Sequence, residues 1–372
     1  MNYVLHLTNA CNLNCKYCYQ NKNNRELDFE NITAIVDREI TNKAKSVGLT
    51  FYGGEPLLKK DIIYKTMQYI EDKKSKTKFY FGITTNGTLL DDEFLDCVKQ
   101  HIFVNFAYSF DGDKDSHDLN RITVTNQGSF DVVEANAKKL LKIYPEAVAM
   151  AVITKNNIKN LAKNVEYLLN LGFKKINLQF NFLQDWEDED LPIIEEQYNK
   201  VADIYYNKIL NEDDIDIIVF DEKIKTYVDT KYNCNDDCKL GLTTINVGAD
   251  GNFYPCVQFV ENPKYIIGNC KNGIDNSARA NIIANSKKEN EICKTCSVRT
   301  RCKHTCPCKN YMASGDMNTL SPIVCELERI IITISDKLAE KLYDNRSKLF
   351  IQKFYNENYS IFKQLLMKKG DK

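Results

Sequence analysis

A close set of three cysteines near the N-terminus restricts the fold and the chemistry of this chain more than any other feature. Cys11, Cys15 and Cys18 have the spacing C-x3-C-x2-C and follow an apolar, strand-like run at residues 3–7. Three thiolates cannot complete a tetrahedral zinc site, whereas a four-iron cluster can be held by three protein ligands that leave one iron open. The triplet therefore favours an iron–sulfur cluster. A zinc site with His6 as the fourth ligand is the alternative.

Composition excludes several classes of protein. The chain has 372 residues, of which 43% are hydrophobic and 27% are charged, as expected of a globular protein that can hold one barrel-sized domain and a smaller one. A net charge of -1 gives no reason to expect a nucleic-acid partner. Because the sequence contains neither a membrane-length apolar run nor a signal peptide, we expect a cytoplasmic protein with no membrane partner. In the cytoplasm, 14 cysteines favour metal or redox chemistry over disulfides.

The first part of the chain alternates between strand-like and helix-like patterns. The predicted strands lie at 3–8, 49–52, 79–85, 103–109, 147–153 and 176–182, and the predicted helices lie at 29–45, 62–72, 92–99, 131–143 and 158–171. This alternation is typical of parallel β/α units with right-handed crossovers. Six units are too few for a closed eight-stranded barrel. The sequence therefore predicts an α/β fold with a partial (β/α)6 TIM-type barrel over 1–215, whose active site lies at the C-terminal ends of the strands.

Polar and glycine-containing turns follow three of the predicted strands. These turns are Gly53-Gly54-Glu55-Pro56, Thr85-Asn86-Gly87-Thr88 and Ser109-Phe110-Asp111-Gly112. Each of them is explained well enough as a chain reversal. Since the first strand brings the cysteine triplet to the same end of the barrel, however, the turns together predict a site for a small polar molecule at one mouth.

The cysteine spacing with Tyr17 before the last cysteine, the GGEP turn and the S-x-D-G turn together resemble the radical S-adenosylmethionine (SAM) superfamily. The resemblance covers about 1–215. It implies that Cys11, Cys15 and Cys18 hold a four-iron, four-sulfur cluster whose open iron binds SAM. One electron then cleaves SAM to methionine and a 5′-deoxyadenosyl radical, which abstracts hydrogen from the substrate.

The same resemblance implies which other residues bind SAM. They are Tyr17 and, by position on the sixth strand, Phe182 for the adenine, Gly53, Gly54 and Glu55 for the amino end, Ser109 and Asp111 for the ribose or carboxylate, and Arg121 for the carboxylate.

Ten further cysteines fall between residues 234 and 325. Four of them have the spacing C-x2-C-x5-C-x3-C, and Pro307 follows the last, as in ferredoxin-type cluster motifs. Upstream, residues 243–247 and 253–254 predict a β-hairpin that carries Cys256 on its return strand. Four-thiolate zinc sites are the alternative. Iron–sulfur clusters are favoured because electrons must reach the N-terminal cluster.

The order of these cysteines is similar to that of the SPASM domain of radical SAM maturases. The similarity implies two auxiliary four-iron clusters, three clusters in all, in a domain over 216–345 that has a β-hairpin and C-terminal helices and is followed by a helical tail over 346–372. The implied ligands are Cys234, Cys238, Cys256 and Cys306 for one auxiliary cluster and Cys293, Cys296, Cys302 and Cys325 for the other. Cys234 has the weakest support, because its gap to Cys238 is short. Without it, this cluster would have an open iron that could bind a substrate thiolate. Cys97, Cys270 and Cys308 are predicted not to be ligands.

The resemblance also implies the class of reaction. Members of this subgroup oxidise Ser or Cys of a protein to formylglycine, or form thioether and carbon–carbon crosslinks in peptides. The sulfatase-maturating relatives carry an Asp, used as a base, directly after the hairpin cysteine, where this chain has Val257. The sequence therefore favours a maturase that forms a thioether or other crosslink in a ribosomally synthesised peptide. Sulfatase maturation is the alternative, and an iron–sulfur electron carrier or redox sensor is the non-enzyme alternative. The catalytic base is not identified.

The expected partners follow from this reaction class. They are a peptide or protein substrate, a flavodoxin- or ferredoxin-type electron donor and, because the cluster motif begins as early as Cys11, a separate leader-binding protein. An acidic loop at 185–190 with the only Trp, Trp186, and a basic, aromatic tail from residue 348 are candidate peptide-binding surfaces. A solvated loop and a helix packed on its own chain are the simpler interpretations of these two segments.

Overall fold

One nine-stranded sheet forms the centre of the fold in the computed structural model, which describes residues 1–229, 239–286, 288, 290–303, 306–356 and 359. Its strands are β1 (Asn2–Thr8), β2 (Ser46–Gly53), β3 (Lys78–Thr85), β4 (Phe103–Ser109), β5 (Val148–Ile153), β6 (Lys175–Phe180), β7 (Asp216–Ile217), β8 (Thr244–Val247) and β9 (Phe253–Tyr254). Their order across the sheet is β7-β6-β5-β4-β3-β2-β1-β8-β9. Every neighbouring pair from β1 to β7 is parallel. The predicted partial β/α barrel is therefore confirmed.

Helices connect the parallel strands and cover the outside of the sheet. They are α1 (Phe29–Thr41), α2 (Lys60–Asp72), α3 (Asp92–Gln100), α4 (Lys114–Asn120), α5 (Phe130–Ile143), α6 (Leu161–Leu171), α7 (Leu191–Leu210) and α8 (Ile218–Val228). The sequence analysis did not predict α4, α7 or α8.

The alternation of side chains along β2 shows how the barrel is filled. Val47, Leu49 and Phe51 are buried in the hydrophobic core that the helices cover. Successive side chains on a strand point to opposite faces, so Thr50 and Tyr52 point to the inner face of the barrel. Tyr52 thereby stands directly before the glycine turn at the mouth.

The predicted hairpin is confirmed, and it continues the barrel sheet. β8 pairs antiparallel with β9 and parallel with β1, with Asn2 opposite Thr244 and Leu5 opposite Val247. The turn between β8 and β9 includes Gly251, whose φ of 75° favours glycine. β8 lies beside β1, and after β9 the chain returns to the end of the barrel that carries the N-terminal triplet, where Val257 and Cys11 line one cavity.

The C-terminal part of the chain packs on the barrel through helices. The remaining elements are β10 (Gly268–Asn269), β11 (Gly273–Ile274), α9 (Asn276–Asn285), α10 (Glu291–Lys294), α11 (Pro307–Ser314), α12 (Pro322–Asp344) and α13 (Lys348–Tyr355). α12 lies against α7 and α8. Phe350 in α13 is fully buried, so the start of the tail packs on its own chain. None of the helices in the described ranges has the length and apolar character needed to cross a bilayer. The division into domains at residues 215 and 345 stays a prediction, and β7 extends the barrel sheet past the first of these positions.

A buried ion cluster fixes the C-terminal helices to the barrel. Glu328 of α12 contacts Lys223 of α8 at 2.6 Å and Lys309 of α11 at 2.6 Å. The side chain of Glu328 is 5% exposed, and that of Lys223 is 2% exposed. Burial alone would raise the pKa of Glu328, but the two lysines hold it well below its usual range. The cluster therefore stabilises the ionised carboxylate that joins three helices.

We predict that Glu328→Ala lowers the free energy of unfolding by about 3–5 kcal/mol, because it removes the carboxylate that pairs with the buried Lys223 and the half-buried Lys309. Glu196→Ala, which removes an exposed pair with Lys200 four residues away, should cost about 0.3–0.5 kcal/mol. Anaerobic urea unfolding of the holoprotein measures both. Since the folded pKa of Glu328 is depressed, its contribution is present above the unfolded value of about 4.3 and is lost as the pH falls below it. Equal losses in the two variants would contradict this account.

Candidate active site

A cavity of about 330 Å³ opens at the C-terminal ends of the barrel strands. The sequence-predicted residues that line it are Cys11, Cys15, Tyr17, Cys18, Gly53, Gly54, Glu55, Ser109 and Arg121. The structure thus brings the cysteine triplet and residues from the predicted turns after β2 and β4 to one site. Thr85 and Asn86, from the turn after β3, line it as well.

The cysteine triplet lies in a loop held against the barrel on both sides. The amide of Asn14 donates to the carbonyl of Ile122 at 2.6 Å, and that of Lys16 donates to the carbonyl of Asn120 at 2.9 Å. The side-chain amide of Asn86, which follows β3, lies 3.8 Å from Cys11 Sγ. The loop is therefore positioned by segments at the ends of β3 and α4. Asn86 belongs to one of the predicted turns, but the sequence did not predict a role for it in the site.

Gly53 and Gly54 allow the turn after β2 to lie directly against the segment that leads to Cys11. A Cβ at Gly53, whose φ is +129°, would lie 2.4 Å from the carbonyl oxygen of Thr8, and one at Gly54 would lie 2.2 Å from that of Ala10. Any side chain at these two positions would push the turn away from the cysteine loop. The pair of glycines thus allows the turn and the segment before Cys11 to lie in backbone contact.

Glu55 is fully buried and accepts hydrogen bonds on both carboxylate oxygens. Oε1 accepts from the Leu57 amide at 3.0 Å and from Thr85 Oγ1 at 2.7 Å, and Oε2 accepts from the Asn86 amide at 2.8 Å. Burial raises the pKa of Glu55 to about 7, although these hydrogen bonds lower it. A carboxylate has about four acceptor positions, so Oε2 retains one for a donor in the cavity. An amino group is a suitable donor.

Arg121 is held at the cavity by Asp111 and Tyr17. Asp111 Oδ1 accepts from Arg121 Nη2 at 3.0 Å and from the Val152 amide at 3.0 Å, while Oδ2 accepts from the Tyr17 hydroxyl at 2.7 Å. The guanidinium also lies 5.3 Å from the centre of the Tyr17 ring. Nε of Arg121 is buried and has no hydrogen-bond partner among the described residues. This free donor on a buried cation fits a ligand carboxylate.

Asp111 and Phe182 do not line the cavity. The carboxylate of Asp111 is occupied by Tyr17, Arg121 and Val152, so its direct contact with a ligand stays a prediction. Phe182 packs against Phe180, with ring centres 5.2 Å apart, and it is Phe180 that lines the cavity. The sequence therefore predicts the correct strand end, but the aromatic side chain at the cavity wall is Phe180, two positions before the predicted Phe182.

Trp186 of the acidic loop packs on the same wall. Its ring stacks on Phe180 at 4.2 Å, and its Nε1 donates to the carbonyl of Asn181 at 2.8 Å. The ring of Trp186 thus supports the cavity wall. Two acidic residues of the loop, Glu187 and Asp190, form ion pairs with Lys155.

The four cysteines predicted to hold one auxiliary cluster line a single small cavity of about 80 Å³. They are Cys293, Cys296, Cys302 and Cys325. Cys325 lies in the first turn of α12, and Arg329 one turn later lies beside Cys296, with 3.9 Å between Nη2 and Sγ. Cys306, the last cysteine of the same sequence motif, does not line this cavity. A donor set of four thiols around one cavity fits a four-iron cluster.

Cys306 lies instead beside Cys256, at the start of α11. The thiol of Cys308 hydrogen-bonds to the sulfurs of both Cys256 and Cys306. Cys234 and Cys238, the other predicted ligands of this cluster, lie outside the described residues. The non-ligand role predicted for Cys308 is untested, but the structure places its thiol among the predicted ligands.

Cys97 and Cys270 are buried away from the two auxiliary sites. Cys97 packs in α3 with its sulfur 3.4 Å from that of Met67. Cys270 is 1% exposed and belongs to the hydrophobic core. Both environments are those expected of cysteines that act as small apolar side chains in a core.

Comparisons with known proteins agree with this geometry. Residues 5–168 match the family model described as the radical SAM superfamily, and residues 238–297 match the SPASM model, described as an iron-sulfur cluster-binding domain. An uncharacterized protein of Methanocaldococcus jannaschii is 31% identical over 214 residues, which cover 56% of this chain and 70% of that protein. The cysteine-type anaerobic sulfatase-maturating enzyme of Clostridium perfringens (strain 13 / Type A) is 26% identical over 338 residues, which cover 83% of this chain and 90% of that enzyme.

A solved structure described as native anSMEcpe with bound AdoMet and Kp18Cys peptide shares the fold. The TM-score is 0.78 at 22% identity, and the match covers 92% of this chain and 99% of that one. The chain therefore belongs to the radical SAM superfamily. Within it, the chain is a member of the SPASM-domain subgroup and is homologous to the anaerobic sulfatase-maturating enzymes.

We predict that SAM binds more tightly as the pH rises through the pKa of Glu55. The raised pKa leaves this carboxyl largely protonated at about pH 6 and largely ionised at about pH 8, and only the ionised form accepts from the SAM amino group on Oε2. The Kd of SAM should therefore fall roughly tenfold between these pH values.

Anaerobic equilibrium dialysis with the iron-loaded protein measures this dependence. Glu55→Gln keeps the shape of the side chain and cannot ionise, so its Kd provides the matched control in which the titration of SAM itself is the same. If the two proteins show the same pH dependence, Glu55 does not receive the amino group.

Proposed function

We propose that this protein is a radical SAM maturase that reductively cleaves SAM and abstracts hydrogen from a peptide, forming a thioether or other crosslink in a ribosomally synthesised substrate. The observation that carries the first part is the convergence on one cavity of three cysteines, an acceptor on Glu55 and a free donor on Arg121. These groups match the parts of SAM in kind: an iron–sulfur cluster site, an amine acceptor and a carboxylate donor.

The residues of the mouth have separate tasks in this proposal. Cys11, Cys15 and Cys18 would hold the cluster, which when bound would supply the one-electron chemistry that cleaves SAM. Glu55 and the backbone of Gly53 and Gly54 hold the amino end, and Arg121 holds the carboxylate. Asp111 and Tyr17 are positioning residues, because they fix the guanidinium through hydrogen bonding and ring contact. Phe180, supported by Trp186, closes the wall on the adenine side and excludes water.

Crosslink formation is supported by the position of Val257. Val257 and Gln258 both line the cavity, directly after Cys256, so the wall beside the hairpin cysteine is apolar and amide-bearing instead of acidic. Among the residues that line this cavity, Glu55 is the only carboxylate. A reaction that relies on an aspartate base at this wall is therefore disfavoured.

Formylglycine formation is the second candidate function. It is supported by the match to the cysteine-type sulfatase-maturating enzyme along 90% of that enzyme. The two candidates share the cleavage of SAM and the abstraction of hydrogen, and they differ in the product.

The partners proposed with this function are a peptide or protein substrate, a flavodoxin- or ferredoxin-type electron donor and a separate leader-binding protein. The two auxiliary cysteine sites support an electron-transfer role for the SPASM domain, since each groups thiols that suit iron–sulfur clusters. The third cluster at the mouth would bring the total to about twelve irons per chain.

Anaerobic incubation with SAM and a strong reductant tests the function. Two sets of synthetic peptides serve as probes: one in which each peptide carries a single Cys, including the Kp18Cys peptide, and one in which a Cys and a second reactive residue stand at varied spacing. Mass spectrometry of the products then separates the candidates. A crosslink with loss of two hydrogens supports the proposal, and formylglycine in the single-Cys set supports the alternative. Cleavage of SAM without any peptide product would contradict both candidate functions.

We predict that replacing Cys11, Cys15 and Cys18 together by Ala abolishes the cleavage of SAM to 5′-deoxyadenosine. The iron bound by the auxiliary sites should remain, so about four irons per chain are lost. Chromatography of 5′-deoxyadenosine and an iron assay measure the two effects. Cys97→Ala is the control, since this buried cysteine lies in α3, away from the mouth. Persisting cleavage in the triple variant would refute the proposed mechanism.

We predict that Cys302→Ala removes about four irons per chain and leaves the cleavage of SAM without peptide intact, because it breaks only the site around the small cavity. Cys270→Ala should leave the iron content unchanged. Cys308→Ser tests the thiol between Cys256 and Cys306: unchanged iron supports the predicted non-ligand role, and loss of about four irons assigns Cys308 to the first auxiliary site.

A further inference from the structure

A second cavity adjoins the mouth between the barrel and the hairpin segment. Its volume is about 500 Å³. The residues that line both cavities are Tyr19, Gln20, Leu183, Val257, Gln258 and Met312. From this shared wall the second cavity extends along 260–263 to Tyr311 of α11. A molecule that reaches the cysteine triplet from this side therefore passes through the second cavity.

The imidazole of His6 forms part of this cavity and is unsatisfied. His6 lies opposite Tyr52 in the parallel pairing of β1 with β2, so both side chains point to the inner face of the barrel. The rings are 4.9 Å apart between centres. His6 is 2% exposed, and its Nε2 has no hydrogen-bond partner among the described residues. A buried polar atom without a partner costs stability and requires an explanation.

The carboxylates that line the two cavities and the tyrosines beside His6 each have a hydrogen-bond partner. Both oxygens of Glu55 accept hydrogen bonds, as described above. Glu261 Oε1 accepts from Asn9 Nδ2 at 2.5 Å and pairs with Arg25 at 3.5 Å. The hydroxyls of Tyr19 and Tyr52 bond to each other at 3.1 Å. Among the described residues that line the second cavity, His6 is the one with a buried polar side-chain atom that lacks a partner.

His6 is neutral at physiological pH. Burial lowers the pKa of His6 to about 4, although Asp250 raises it slightly. A neutral imidazole carries one nitrogen with a free lone pair. This group can take up a proton at any pH at which the enzyme is expected to work.

We infer that the second cavity seats the peptide residue that undergoes modification, and that His6 accepts the proton which this residue loses. The inference rests on the proposed function and supplies its missing base. The cavity wall suits a polypeptide, since Gln20, Asn21 and Gln258 present side-chain amides, which pair with backbone N–H and C=O groups.

The steps that form a thioether in the peptide balance in atoms and electrons. The 5′-deoxyadenosyl radical takes a hydrogen atom from a substrate carbon, which breaks a C–H bond and gives 5′-deoxyadenosine. The carbon radical passes one electron to an oxidised iron–sulfur cluster of the SPASM domain and becomes a cation. A neutral thiol of the substrate adds to this cation and forms the C–S bond as a protonated sulfur. His6 takes that proton, so the substrate loses two hydrogens in total.

His6→Phe tests this assignment in the full-length, iron-loaded protein. Phenylalanine retains a ring against Tyr52 and removes the unsatisfied nitrogen, so the melting temperature should stay the same or rise. His6→Gln is the second variant, which keeps hydrogen bonding but cannot take the proton. His101→Gln is the control, because His101 lies at the end of α3, where its Nδ1 is 2.9 Å from the carbonyl oxygen of Cys97.

The readout is the amount of crosslinked product per 5′-deoxyadenosine, measured with the synthetic Cys-plus-acceptor peptides described above. In both His6 variants this ratio should fall about 10²-fold, while the cleavage of SAM without peptide stays within about twofold of the wild-type rate. A deuterium label on the abstracted position should still appear in 5′-deoxyadenosine. The His101 variant should keep the wild-type ratio.

Three results would overturn the inference. An unchanged ratio in His6→Phe would show that His6 takes no proton, and a parallel fall of product and 5′-deoxyadenosine would show a structural role. A clearly lowered melting temperature of His6→Phe would also show a structural role, and this measurement needs no peptide. By contrast, a wild-type protein that converts no peptide in either set contradicts the proposed function, and the melting temperature still decides whether His6 is structural.

Discussion

The site depends on the position of β1 between β2 and β8. Parallel pairing with β2 aligns His6 with Tyr52 and places the GGEP turn against the segment before Cys11. Pairing with β8 on the other edge brings the hairpin, and with it Cys256 and Val257, to the same mouth. One short strand thus fixes the cysteine loop, the GGEP turn and the wall of the second cavity relative to one another. Its buried residues Tyr3, Leu5 and Leu7 anchor it in the core.

The second constraint on the mouth is the network around Asp111. Its carboxylate joins Tyr17 of the cysteine loop, Arg121 after α4 and the backbone of β5. These three segments are far apart in sequence, and the buried cation would be costly without its counter-charge. The same arrangement leaves Nε of Arg121 free at the cavity. Asp111 therefore links the position of the cysteine loop to that of the Arg121 guanidinium.

Local patterns in the sequence were sufficient for the barrel strands, the hairpin and the cysteine motifs, because periodicity, turn residues and ligand spacing are local properties. The parallel pairing of β8 was not predictable in this way, since a strand of four residues takes its register from Asn2–Leu5 across the sheet. The bonding of Asp111 and the place of Cys308 beside Cys256 depend on contacts between distant segments. Phe180 lines the cavity where the sequence predicts Phe182, because the end of β6 decides which side chain reaches the cavity, and strand ends are poorly marked in sequence.

The strength of the base at the cavity wall determines at which step a proton can leave the substrate. An imidazole whose pKa burial lowers to about 4 is as weak a base as an ordinary carboxylate, so it does not deprotonate a thiol before attack. A weak base is adequate if the proton leaves after the C–S bond has formed, because a protonated thioether is a strong acid. Val257 at the hairpin and the unpaired nitrogen of His6 on β1 therefore support the same order of events. Oxidation of carbon comes first, then addition of the neutral thiol, and the proton leaves last.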